Sequence, residues 1–134
     1  MQGTQAVGIY VDAWDKHTFN VDVFQNVVHD SANNNGFSLA SEAGGLLEDV
    51  RVYNNIAYHN RYLGLGISSC CPDLSSSHPM TDIIIINNTF YNNGWTEWGG
   101  GIVVGNPEAE NVVIRNNIFS QNLSFQIAVD KVVP

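Results

Sequence analysis

The feature that most constrains this chain is an asparagine that recurs at a nearly fixed interval inside matching apolar frames. The segments VDVFQNVV (Val21 to Val28), VRVYNNIA (Val50 to Ala57), IIIINNTF (Ile83 to Phe90) and VVIRNNIF (Val112 to Phe119) superpose on Asn26, Asn55, Asn88 and Asn117, at spacings of 29, 33 and 29 residues. Each copy carries apolar residues three and five positions before that Asn, such as Val52 with Val50 and Ile85 with Ile83. Alternation of this kind describes a strand with one buried face. A second strand signal precedes each copy: GIYV (Gly8 to Val11), GFSL (Gly36 to Leu39), GLGI (Gly64 to Ile67) and GIVV (Gly101 to Val104), with a fifth, QIAV, at Gln126 to Val129. A unit of about 30 residues that has no helical period and cannot close a core alone is the mark of a solenoid.

Strands stacked about 4.8 Å apart place Ile9, Phe37, Leu65, Ile102 and Ile127 in one buried file and Val11, Leu39, Ile67, Val104 and Val129 in the next. The expectation is an all-β parallel β-helix of about five coils, a single domain over residues 1–134 that is either whole or a piece of a longer solenoid. Asn makes up 17 of the 134 residues, and the repeat explains why. A sharp corner leaves backbone groups unpaired, and a carboxamide supplies both a donor and an acceptor to satisfy them. Asn26, Asn55, Asn88 and Asn117 are therefore expected to bond one another as an internal ladder.

Charge narrows the partners. Thirteen acidic against 5 basic side chains give a net charge of −8, in a chain that is 44% hydrophobic and only 13% charged. That balance excludes a disordered chain and argues against a phosphate-tracking nucleic-acid binder. The longest purely aliphatic stretch, Ile83 to Ile86, is far short of a membrane span, and Met1 to Val11 has no basic region leading into an apolar one. Neither a membrane partner nor an export signal is expected from this segment.

Insertions in a solenoid loop out where the period breaks, because the inner files must stay in register. From leading Gly to ladder Asn the distance is 18, 19, 24 and 16 residues, so the third coil has a longer loop, Ser68 to Thr81. From ladder Asn to the next leading position it is 10, 9, 13 and 9, which marks Gly94 to Gly100 (GWTEWGG) as a second insertion. The outward positions of the leading strand, Tyr10, Ser38, Gly66, Val103 and Ala128, are mostly small and predict a shallow trough.

The G-I-x-V and N-V-x-I-x-N-N-x-F pattern resembles the right-handed parallel β-helix repeat of the pectate-lyase-like superfamily, from Val7 to Val129. That superfamily includes lyases, hydrolases, epimerases, phage tailspikes and modules without known chemistry, so fold alone assigns no reaction. The resemblance implies a right-handed coil and a substrate groove over the leading strand file, walled by the loops before and after it. Trp14, Tyr62, Trp95 and Trp98 then flank a cleft beside Asp12, Asp15, Lys16, Glu42, Arg61 and Glu97. Aromatic faces beside carboxylates suit a polysaccharide, whose rings present C–H groups to the π face and hydroxyls to the acids. The polygalacturonase-like paired Asp and Gly-His-Gly strand are missing here, as are the arginine-centred motif and dense Asp cluster of typical pectate lyases. No catalytic residue is carried over by position.

Two chemistries fit the loop residues. A glycoside hydrolase needs an acid and a second carboxylate, for which Asp12, Asp15 and Glu42 lie in neighbouring loops. A lyase acting on a uronate needs a base and a cation: Lys16 and Arg61 are the candidates, and Asp12 with Asp15 offers oxygen ligands for Ca²⁺, the one cofactor considered. The competing reading is a non-catalytic repeat module that serves structure or self-association. His59 aligns with Asp30, Asn92 and Gln121, so Asp30 and His59 are expected to pair between adjacent coils as a structural contact. Cys70 and Cys71 are adjacent and poorly spaced for zinc, and free thiols and an intermolecular bridge both stay open. No capping segment is visible at either end, and Val132 and Val133 follow the last strand. A solenoid without caps exposes its cross-section, so a homo-oligomer joined through those ends is expected.

Overall fold

The computed structural model describes residues 6–69, 77–95 and 97–129. Cys70, Cys71, Val132 and Val133 lie outside those residues, as does half of the Ser68 to Thr81 insertion, residues 70–76. Thirteen strands and no helix make up the described chain. They fall into three parallel sheets. Sheet A stacks β1 (Ile9–Asp12), β4 (Phe37–Ala40), β7 (Leu63–Ser68), β10 (Gly100–Val104) and β13 (Phe125–Val129) in that order. Sheet B stacks β2 (Thr18–Phe24), β5 (Leu47–Tyr53), β8 (Met80–Ile86) and β11 (Ala109–Arg115), and sheet C stacks β3 (Val27–His29), β6 (Ile56–Tyr58), β9 (Thr89–Tyr91) and β12 (Ile118–Ser120). Four complete coils and the first strand of a fifth result, against the five read from the leading-strand motifs. The fifth motif, QIAV, forms β13 without sheet B or sheet C strands after it among the described residues.

The register agrees with the repeat residue for residue. Ile9, Phe37, Leu65, Ile102 and Ile127 are successive partners, as are Val11, Leu39, Ile67, Val104 and Val129. From Ile9 to Ile102 and from Val11 to Val104 these files form the core together with Val50, Val52, Ile83 and Ile85 of sheet B, closed on the sheet C side by Ala57 and by Phe90 stacked on Phe119 at 5.3 Å, whereas Ile127 and Val129 are exposed. The leading glycines have a steric cause. A Cβ on Gly64 would lie 2.4 Å from Phe90 Cδ1 and 2.8 Å from the Gly101 carbonyl oxygen, and one on Gly36 would meet Asn60 and the Gly64 oxygen. In the fifth strand Gln126 occupies the corresponding place.

Corners are built from two devices. The first is a left-handed residue, at φ between 50° and 58°, repeated in three files: Asn20, Asp49, Asp82 and Asn111 before the sheet B core residues; Gln25, Asn54, Asn87 and Asn116 at the turn from sheet B to sheet C; and Asp30, His59, Asn92 and Gln121 after sheet C. Asn and Asp tolerate this conformation better than other non-Gly residues. The second device is the expected ladder: Asn26, Asn55 and Asn88 each donate Nδ2 and the backbone N–H to the Oδ1 of the ladder residue one coil on, at 2.8–3.0 Å. Asn55, Asn88 and Asn117 also donate to carbonyls of the preceding coil, those of Val23, Val52 and Ile85.

A second ladder, not anticipated, runs five residues farther along the chain. Ser31 N–H donates to Asn60 Oδ1, Asn60 donates to Asn93, and Asn93 donates to Asn122. Asn122 Nδ2 ends on Gln126 Oε1 at 2.7 Å. Removing an inner rung strands several buried partners at once, whereas removing an outer one strands few. Asn88→Ala is expected to lower the unfolding free energy by about 2–4 kcal/mol and Asn26→Ala by about 1 kcal/mol, compared by urea denaturation.

Candidate functional site

The strands of sheet A alternate inward and outward residues, so Tyr10, Ser38, Gly66, Val103 and Ala128 form one outward file. Over its first three coils lies a pocket of about 400 Å³, with polar lining from Tyr10, Asn34, Asn35, Ser38, Glu42 and Ser68. The trough expected from small residues is partly filled. Asn35 Nδ2 donates to Ser38 Oγ at 3.1 Å and stands against Gly66, while Asn35 Oδ1 accepts the Leu63 N–H at 3.2 Å. Ser38 is buried as a result. Tyr10 reaches across the mouth and donates its hydroxyl hydrogen to Glu42 Oε1. The pocket thus crosses the sheet, from Asn34 and Asn35 before β4 to Glu42 and Ser68 at the C-terminal ends of the strands.

The carboxylates and bases named from the sequence do not converge on one point. Asp12 continues the outward face of β1 beyond Tyr10, and its Oδ1 is buried with no hydrogen-bond partner among the described residues. Asp15 and Lys16 sit in the exposed turn that follows, closed by Lys16 N–H donating to the Ala13 carbonyl at 2.8 Å. That turn packs on the Ser41–Leu46 segment of the next coil, where the N–H groups of Ala43 and Gly45 donate to the Trp14 carbonyl. Arg61 is at the opposite ends of the strands from Lys16. Its Nη1 donates to Asn33 Oδ1 at 3.2 Å and to the Ala32 carbonyl at 3.4 Å, and its guanidinium lies 5.3 Å from the Tyr62 ring centre. A base and a cation from these two residues are therefore not brought to one side of a bound sugar. Among the described residues no group of three or more His, Cys, Asp or Glu side chains is arranged to hold a metal ion.

The aromatic residues divide in the same way. Trp14 leaves the C-terminal end of β1, whereas Tyr62, Trp95, Glu97 and Trp98 precede β7 and β10, at the N-terminal ends of the sheet A strands. Trp14, Trp95 and Trp98 are 49%, 44% and 51% exposed. Trp95 stacks on His59 with ring centres 5.8 Å apart, and Trp98 meets the Phe125 ring edge-on at 5.6 Å. The three tryptophans stand on opposite borders of sheet A, Trp14 in the loop after β1 and Trp95 and Trp98 in the loop before β10. Glu97 is exposed beside Trp98.

The Asp30–His59 pair is present, with Asp30 Oδ1 2.5 Å from His59 Nδ1, and it has a third member that the alignment did not show. His29 Nδ1 lies 2.7 Å from Asp30 Oδ2, and the His29 ring stacks on Tyr58 at 4.7 Å. Hydrogen bonding by His59, and next by His29, holds the Asp30 carboxyl below its ordinary 3.8. Since the folded value is the lower one, the contribution of Asp30 to stability is complete above the usual carboxylate range and is lost as pH falls through the folded value. A carbon-detected NMR titration is expected to give Asp30 a midpoint below 3.8, and the difference in melting temperature between wild type and Asp30→Asn is expected to shrink over the same acidic range.

Asn34, Asn35 and Ser68 were not singled out from the sequence as pocket residues, although the run Asn33 to Asn35 directly before the second leading Gly was the available signal. His78 was also missed: it is buried, and its Nδ1 lies 2.6 Å from the Ser41 carbonyl, which ties the turn after β4 to the start of β8.

The family model described as the right-handed β-helix region matches residues 7–131. No curated protein and no solved structure matches the chain. The match spans nearly every coil whose register and corner ladders are described above, and the chain belongs to the right-handed β-helix family.

Proposed function

We propose that this β-helix binds a polysaccharide on the outward face of sheet A, with the chain of sugars held between the Trp14 rim and the Trp95–Trp98 rim. The observation that carries this reading is the exposure of three tryptophans, each about half open to solvent, on the two borders of a sheet that carries a polar pocket. An indole left in water at the edge of a groove gains by covering the C–H face of a sugar ring, while carboxamides, hydroxyls and a carboxylate within the groove pair with sugar hydroxyls. Glu42 is the carboxylate that lines the pocket in this reading, and Asp12, Asp15, Lys16, Arg61 and Glu97 lie toward the borders of the sheet. A glycan array is expected to show binding that falls about tenfold or more in Trp95→Ala and Trp98→Ala. Absence of binding across neutral and uronate glycans overturns the reading. A photometric assay for unsaturated product on mixed uronates, run with and without Ca²⁺, tests lyase activity separately.

A second reading, self-association, is favoured by one observation. Ile127 belongs to an inner file whose other members pack in the core, yet it is 45% exposed, and Val129 two residues on is 65% exposed. Two copies that cover these faces would bury them. Light scattering at micromolar concentration is expected to give a mass above the 14.7 kDa of one chain, and a single-chain mass at that concentration counts against it.

A further inference from the structure

The pocket over the first three coils has a lining that discriminates between classes of sugar. Glu42 is its one ionised group among the described lining residues, and the remaining polar lining is made of the Asn34 and Asn35 carboxamides, the Ser38 and Ser68 hydroxyls and the Tyr10 phenol. Carboxamides and hydroxyls both donate and accept, which matches the vicinal hydroxyls of a sugar. Ala6 and Val7 supply apolar wall, and the Tyr10 ring, 45% exposed, supplies an aromatic face. A carboxylate in this setting accepts from hydroxyls but repels another carboxylate. No lysine or arginine is among the described lining residues to offset that charge. The net charge of −8 acts in the same direction over a longer range.

We infer that this pocket is a subsite for one neutral sugar residue and rejects uronates, with Glu42 as its principal hydrogen-bond acceptor and Tyr10 as both its aromatic face and the group that positions Glu42. A volume of about 400 Å³ suits a small ligand unit rather than a polymer segment, so the rest of the polysaccharide lies along the rims. The inference rests on the polysaccharide reading above and specifies the substrate class at the same face.

The test is calorimetric titration of the full chain with cellohexaose, mannohexaose and xylohexaose against hexagalacturonate and hexamannuronate. At least one neutral hexasaccharide is expected to bind ten times or more tighter than either uronate. Glu42→Gln, which keeps shape and removes charge, is expected to weaken that binding about tenfold, and Tyr10→Ala at least as much, with circular dichroism confirming that both variants fold. Uronate binding as tight as neutral binding, or neutral affinity unchanged in both variants, overturns the inference. If that occurs while Trp95→Ala and Trp98→Ala still lose binding, the polysaccharide reading stands without it. If none of the five oligosaccharides binds, both fall together.

Discussion

A buried polypeptide corner has no neighbour on its own coil to take its backbone hydrogen bonds, and this fold depends on how that deficit is met. Each coil turns sharply between short strands, and groups freed at the bend cannot reach water once another coil covers them. The carboxamides of Asn55 and Asn88 answer with one side chain each: they accept from the coil before and donate both to that coil's carbonyls and to the coil after. A left-handed residue directly before each rung swings the chain into place. The ladders use Asn26, Asn55, Asn60, Asn88, Asn93, Asn117 and Asn122, and the left-handed files use Asn20, Asn54, Asn87, Asn92, Asn111 and Asn116. Corner geometry thus accounts for thirteen of the seventeen asparagines.

Much of this was legible because a solenoid writes its register in plain period. Once Asn26, Asn55, Asn88 and Asn117 are aligned, the inner files follow, since a strand cannot shift by one residue without turning its apolar face outward. The second ladder was less visible for a specific reason. Its first member is Ser31 and its fifth position is taken by the Gln126 side chain, so only Asn60, Asn93 and Asn122 are identical. The coil count was overstated because QIAV has the pattern of a leading strand whether or not a full coil follows it.

The site was legible in outline only. Period breaks located the loops, and the outward alternation located Tyr10 and Ser38, but where a long side chain ends depends on contacts between coils that no spacing reveals. Glu42 was grouped with Asp12 and Asp15, and its carboxylate is in fact engaged by the Tyr10 hydroxyl. Asn35 falls in a turn, yet it reaches over Gly66 and Ser38 and so decides how deep the pocket is. Trp14 and Trp98 were placed at the borders of the right sheet, and parallel strands put a loop after β1 and a loop before β10 on opposite borders.

Both ladders also run in one sense. From Asn26 through Asn88 and from Asn60 through Asn93, each rung donates a side-chain N–H to the carboxamide oxygen of the rung on the next higher coil, so the rung-to-rung bonds all point one way. Amides aligned head to tail polarise one another. The two threads of rung-to-rung bonds therefore give the solenoid axis a direction: one opens on the Asn26 carboxamide oxygen at the first coil, and both close at the fourth, where the Asn117 and Asn122 nitrogens turn back to the Ile85 and Phe90 carbonyls.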